Sequence, residues 1–209
     1  MTQRHSGYKR RLGDDYPTPA WASQVVIPHL PQRIAIAWDP ATGTGAMVRA
    51  LNQAGLPTIG TGGDFLTQTQ LPDPRVNACV SNPPYGYHGK LARQFIEHAL
   101  ELVPVVAMLL RVDFDSGRTR THLFRTCPAF ACKLTLLNRV QWFVGEHSSS
   151  TNHAWFIWDR EHSGPPTIRY AGKRDVVAFN ATADVWNGAQ QAFDFIRERM
   201  RQGGPGWSP

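Results

Sequence analysis

A strand, a glycine turn and a helix in immediate succession near the start of the chain narrow the fold more than any other feature. Ile34-Ala35-Ile36-Ala37-Trp38 is a compact apolar run, the pattern of a core strand. Asp39-Pro40-Ala41-Thr42-Gly43-Thr44-Gly45 follows it, and Ala46-Met47-Val48-Arg49-Ala50-Leu51 then resumes with helix-forming residues. Gly43 and Gly45 let the backbone bend sharply and approach a ligand closely. The Asp39 carboxylate at the strand tip can hold backbone amides or a ligand amine. A strand before and a helix after favour a nucleoside-cofactor loop over a plain tight turn.

A second turn carries different chemistry. The apolar run Ala78-Cys79-Val80-Ser81 predicts a buried strand that ends in Asn82-Pro83-Pro84-Tyr85. Two prolines in sequence fix φ and remove two N–H donors, so the turn presents carbonyl oxygens between the Asn82 amide and the Tyr85 ring. Such a site suits a planar ring bearing an amine.

The rest of the pattern alternates strands with helices. A proline-rich lead-in at Tyr16-Pro17-Thr18-Pro19 precedes a short helix marked by Trp21, Val25, Val26 and Leu30. Residues 57–66 read as a short strand and a glycine-rich turn, and Leu91, Phe95, Ile96, Ala99 and Val103 recur at helical spacing. Further strands are expected at 105–110, 134–137 and 153–158, with a last helix over 190–201 marked by Phe193, Ile196 and Met200. The polar loop 86–90 is read as flexible and able to close over a bound base. The whole predicts a three-layer α/β sheet in which both turns lie at strand C-termini and face one crevice. One domain over 15–201 is expected, with a basic arm at 1–14 and a disordered tail at 202–209.

Composition sets the surroundings. The 209 residues are 42% hydrophobic, enough for one substantial core, and carry 22 Lys and Arg against 16 acids for a net charge of +6. That balance suits a polyanionic partner or solubility alone. Arg118, Arg120 and Arg125 suit phosphate binding and equally a solvated helix face. Three cysteines without a CxxC pair point to a reduced, cytoplasmic compartment, and no metal site is expected. Cys79, inside a strand, and Cys127, before Pro128, read as structural rather than nucleophilic. His98, His147 and His153 show no ligand-like spacing and read as surface or loop residues rather than metal ligands, and no apolar run is long enough to span a membrane.

Asp39-Pro-Ala-Thr-Gly-Thr-Gly45 resembles the S-adenosylmethionine loop of class I methyltransferases. Ser81-Asn-Pro-Pro-Tyr85 resembles the catalytic motif of amino-methylating enzymes, above all DNA adenine-N6 methyltransferases. Tyr16-Pro-Thr-Pro-Ala-Trp21 ahead of the cofactor loop is similar to the gamma-type motif order and to small phage-like members, so the likeness covers roughly residues 14–160. It implies a Rossmann-like, mostly parallel seven-stranded sheet flanked by helices, in a bacterial or phage-infected cell. It implies that Thr18 and Pro19 lie against the methionine end of the cofactor, with Asp39, Pro40, Ala41, Gly43 and Gly45 around its amino acid. Asp64 and Phe65 would then stand beside its adenine, and Asn82 at its methyl. Catalysis would fall to Asn82, Pro83, Pro84 and Tyr85. Tyr85 and Phe143 would support an extruded base; Arg118 and Arg120 are the substrate-binding candidates by their charge alone.

The chain departs from the family at the second strand, where a carboxylate for the ribose is usual and Gly60 and Thr61 supply none; Asp64 is the nearby candidate. The implied substrate is adenine in DNA, as single strands or as a duplex with the base flipped out. RNA adenine, a protein glutamine, or a non-catalytic nucleic-acid-binding role are the alternatives. Only about 50 residues follow Trp158, which points to short-site specificity or a protein partner that supplies it.

Overall fold

A computed structural model describes residues 17–142 and 151–176. The expected arm at 1–14, Tyr16, Phe143, His147, the helix over 190–201 and the tail lie outside the described residues. Seven strands form one sheet in the order β2-β1-β3-β4-β6-β5-β7. They are β1 (Ile36–Asp39), β2 (Thr58–Gly60), β3 (Val76–Ser81), β4 (Val105–Arg111), β5 (Phe130–Leu136), β6 (His153–Asp159) and β7 (Thr167–Ala171). All pairings are parallel except those of β6, which runs antiparallel to β4 and β5. Strands β1, β3 and β4 read as near-continuous apolar runs because both faces of the sheet are covered there.

Helices α1 (Ala20–Gln24) and α2 (Ala46–Gln53) cover one face, and α3 (Lys90–Leu102) and α4 (Thr121–Phe124) the other. In α3 the residues Ala92, Phe95, Ile96 and Ala99 are buried, the i, i+3, i+4, i+7 stripe of a helix packed on one side. Strand β6 ties both layers down, because residues three apart on a strand point to opposite faces. Trp155 Nε1 donates to the Ala22 carbonyl under α1, and Trp158 Nε1 to the Leu123 carbonyl under α4, each at 2.7 Å. Both indoles are fully buried, so Trp155→Phe leaves a buried carbonyl without its donor. The expected loss is about 1–3 kcal/mol in urea unfolding; an unchanged midpoint would show that the bond carries no net stability.

The order of strands positions the crevice. From β1 the sheet grows to β2 on one side and to β3 on the other, so the tips of β1 and β3 diverge at a topological switch point. Strand β7, preceded by Pro165 and Pro166, was not expected from the sequence. It forms the sheet edge beside β5, where Leu137, Ile168 and Tyr170 are exposed.

Candidate active site

Asp39 is the last residue of β1 and is almost fully buried. Its Oδ1 accepts from Ser81 Oγ at 2.7 Å and from the Ala41 N–H at 3.2 Å, while Thr42 Oγ1 donates to its carbonyl at 2.8 Å. Burial pushes the carboxyl up to about 6; the Ser81 hydroxyl and the Ala41 amide pull the other way and only partly offset it. Gly43 and Gly45 take positive φ of 50° and 74°, which turns the chain from β1 into α2.

Strand β3 delivers the second half. Ser81 ends it at Asp39, and the next residue, Asn82, donates from Nδ2 to Thr18 Oγ1 at 3.2 Å. Thr18 is itself buried, in the segment that leads into α1. The three stretches singled out in the sequence thus meet through side chains: the lead-in through Thr18, the glycine loop through Asp39 and the proline turn through Ser81 and Asn82. They enclose a cavity of about 370 Å³ whose wall includes Thr18, Asp39, Gly43, Asn82 and Pro84. That volume admits a nucleoside-sized ligand. A buried carboxylate with two neutral donors and no cation suits a ligand ammonium, which would favour its ionised form.

Pro40 and Ala41 also line this cavity. Pro19, Gly45, Pro83 and Tyr85 do not. Pro19 precedes α1, Gly45 precedes α2, Pro83 is buried, and Tyr85 packs toward the α3 side of the core. Asp64 and Phe65, expected beside the cofactor's adenine, do not line the cavity. The Asp64 carboxylate accepts from the Leu66 N–H at 3.1 Å and starts a 3-10 turn over Phe65–Thr67 that swings the ring into the core. There it meets Trp38, Phe95 and His98 at 5.2, 4.9 and 4.8 Å. Gly62 and Gly63 take the place at the wall instead.

The tip of β2 explains the absent ribose acid. A Cβ at Gly60 would stand 2.3 Å from Thr42 Oγ1 and 2.9 Å from Val48 Cγ2, so no side chain fits there. Thr61 is committed as well, its Oγ1 accepting from Trp38 Nε1 at 2.8 Å.

Two histidines differ from expectation. His98 packs on α3 with Nε2 2.7 Å from the Gln68 carbonyl. His153 is buried at the start of β6, opposite Arg111, with Trp142 edge-on at 5.1 Å. Burial, with the Arg111 charge, brings its pKa down to about 4.

Arg118 is exposed in a 3-10 turn over Arg118–Arg120, whereas Arg120 lies over the Phe114 ring at 4.1 Å. Neither lines the cavity. Ser81 and Thr42 were quoted in the motifs without a role; the serine at the strand end, one residue before Asn82, was the available signal. Among the described residues no helix is long and apolar enough to cross a membrane.

The chain matches no protein-family model and no curated protein. Solved structures do resemble it. A candidate class I S-adenosylmethionine-dependent methyltransferase from Listeria monocytogenes aligns over 88% of this chain and 74% of its own, at 14% identity and a TM-score of 0.57. A candidate RNA methyltransferase from Pyrococcus horikoshii aligns over 69% and 85%, at 15% identity and a TM-score of 0.51. A modification subunit of a candidate type I restriction enzyme from Vibrio vulnificus aligns over 97% and 55%, at 13% identity and a TM-score of 0.51. The chain has the Rossmann-like fold of the class I S-adenosylmethionine-dependent methyltransferases.

Proposed function

We propose that the protein methylates the exocyclic N6 amine of adenine in DNA, with S-adenosylmethionine as the donor. The observation that carries this reading is the orientation of Asn82. Its Nδ2 is engaged by Thr18, so Oδ1 is the atom left to accept from a ligand, at the wall of the same cavity that Asp39 closes.

When bound, S-adenosylmethionine supplies an electrophilic methyl on a sulfonium. The cavity fits it: Asp39 would hold the amino-acid ammonium, the Gly43 turn would admit its close approach, and Gly62 and Gly63 would face its nucleoside. The nucleophile needs more help, because the adenine amine has its lone pair delocalised into the ring. Asn82 Oδ1 and the Pro83 carbonyl would each accept a hydrogen bond from one of its two N–H groups and draw the nitrogen toward a tetrahedral shape, and the surplus proton would leave to solvent after transfer. Pro83 and Pro84 hold φ near one value, so the two acceptors are preorganised before the base arrives. Tyr85 would support the face of the base once it has left the stack, a step that costs a few kcal/mol. No covalent enzyme intermediate is needed, consistent with Cys79 lying buried in β3, where burial pushes its thiol well up.

The test is a substrate panel with methyl-labelled cofactor. Duplex DNA, single-stranded DNA, RNA and a glutamine-bearing protein are offered in parallel, and the product is digested to nucleosides. N6-methyldeoxyadenosine from DNA is the expected outcome. Label confined to RNA or protein, or no label in any of them, overturns the proposal. Mapping the methylated positions on a random-sequence DNA then reads out specificity, for which a short site is expected.

A further inference from the structure

The loop that leaves the proline turn holds out the most exposed large apolar side chain among the described residues. Tyr87 is 81% exposed, against 64–66% for Leu137, Ile168 and Tyr170 at the far edge of the sheet. This segment forms a turn whose centre is a 3-10 stretch over Tyr87–Gly89. His88 is the one non-glycine residue with positive φ among those described, at 52°, and its ring lies edge-on to Tyr87 at 4.0 Å. Gly86 at 61° and Gly89 at 74° flank the pair. A strained backbone that displays an aromatic ring to water, two residues past Tyr85, gains nothing for the fold by burial. Its geometry makes sense when something flat lies on the ring.

A cation lies beneath the same loop. Arg120 Nη1 is 3.1 Å from where a Cβ on Gly89 would stand, and the guanidinium rests on Phe114. The acids nearby are already taken. Asp113 is held by Arg111 through bonds of 3.1 and 2.9 Å, and Asp115 by Lys133 at 2.6 Å. Arg120 Nε is buried with no hydrogen-bond partner among the described residues. The guanidinium bonds no carboxylate among the described residues, although Asp113 and Asp115 act on it through space; a phosphate arriving from outside would meet its terminal nitrogens, not the buried Nε.

We propose that Tyr87 and Arg120 form a nucleotide clamp next to the target base. The Tyr87 ring stacks on a base neighbouring the methylated adenine, and Arg120 takes the phosphate between the two. The clamp rests on the nucleic-acid reading of the Asn82 site and adds a binding role that the site itself does not require. Tyr87 and the Arg120 contact at Gly89 lie two residues apart on one turn, and an aromatic ring with a nearby cation is a recurring means of holding a single strand, because every base has a π-face and every link a negative charge. A protein partner would call for a broad apolar patch, and Tyr87 stands alone.

The experiment measures binding of the full chain, loaded with S-adenosylhomocysteine, to a fluorescein-labelled adenine-bearing single-stranded DNA by anisotropy. Tyr87→Ala is expected to weaken binding by about 5- to 150-fold, the equivalent of one base–aromatic stack, with the salt dependence unchanged. Tyr87→Trp restores binding, which a misfolded variant would not do, and Tyr87→Leu does not. Arg120→Gln weakens binding and lowers the slope against log salt by about 0.7, the value of one phosphate contact on a single strand. If wild type binds, and loses transfer only on Asn82→Ala, while Tyr87→Ala binds as wild type, the clamp is wrong and the function stands. If wild type binds no nucleic acid, both fall.

Discussion

Asn82→Ala is expected to lower the single-turnover rate of methyl transfer by roughly 10²–10³-fold, the range found when one preorganised hydrogen-bonding group is removed from a reacting centre. The reason is positional. Thr18 fixes Nδ2, and in the proposed mechanism the remaining Oδ1 is one of two acceptors for the substrate amine, the other being the carbonyl of the buried Pro83. Losing it leaves the Pro83 carbonyl alone, and the lone pair stays in the ring. Binding of S-adenosylhomocysteine, measured by calorimetry, should hardly change, since Asp39 and the glycine turn are untouched. A loss confined to kcat would mark an interaction made in the transition state; turnover equal to wild type would end the proposed mechanism.

Asp39→Asn should separate two properties that usually move together. Cofactor affinity is expected to fall by about 10²–10³-fold, because truncating one side of a buried charge pair costs several kcal/mol. Stability of the free protein at pH 7–8 is expected to rise. The folded-state pKa of about 6 lies above the ordinary 3.8, so the folded chain binds the proton more tightly. That contribution is complete below about pH 4 and is lost as pH rises through 6, which leaves a penalty on the order of 1–3 kcal/mol at neutral pH. An asparagine carries no such penalty.

His153 works in the opposite direction over nearly the same range. Its pKa falls from 6.5 to about 4 on folding, so the stability of its buried neutral form is present above 6.5 and lost as pH drops toward 4. Between pH 4 and 6 the folded state binds the extra proton at Asp39 and the unfolded state binds it at His153, and the two slopes cancel. Wild type should therefore show a weak pH dependence from this pair. The Asp39→Asn variant should show stability climbing with pH across the same window, in urea midpoints at constant ionic strength. A profile in the variant parallel to wild type would refute the assignment.

Both turns were legible in the sequence because their chemistry is local: glycines, prolines and polar residues at strand ends specify a turn whatever packs around it. What joins them was not. The bonds from Ser81 to Asp39 and from Asn82 to Thr18 span 42 and 64 residues, and spacing along a chain carries no sign of them. Strand β7 escaped because four of its five residues are exposed, so it has no buried face to set an alternation. Phe65 is buried in the core behind the turn that the Asp64 carboxylate caps at the Leu66 amide, a packing that the sequence spacing does not show. His153 begins a strand that was expected at 153–158, and its place opposite Arg111 on β4 buries it.

The closed tip of β2 has a consequence for how such a chain can change. With Thr42 and Val48 filling the space beyond Gly60, an acid placed at 60 would collide with both side chains. Under the proposed function, any added grip on the cofactor's sugar would have to come from the Gly62–Gly63 side, where a Cβ would meet nothing within 4 Å.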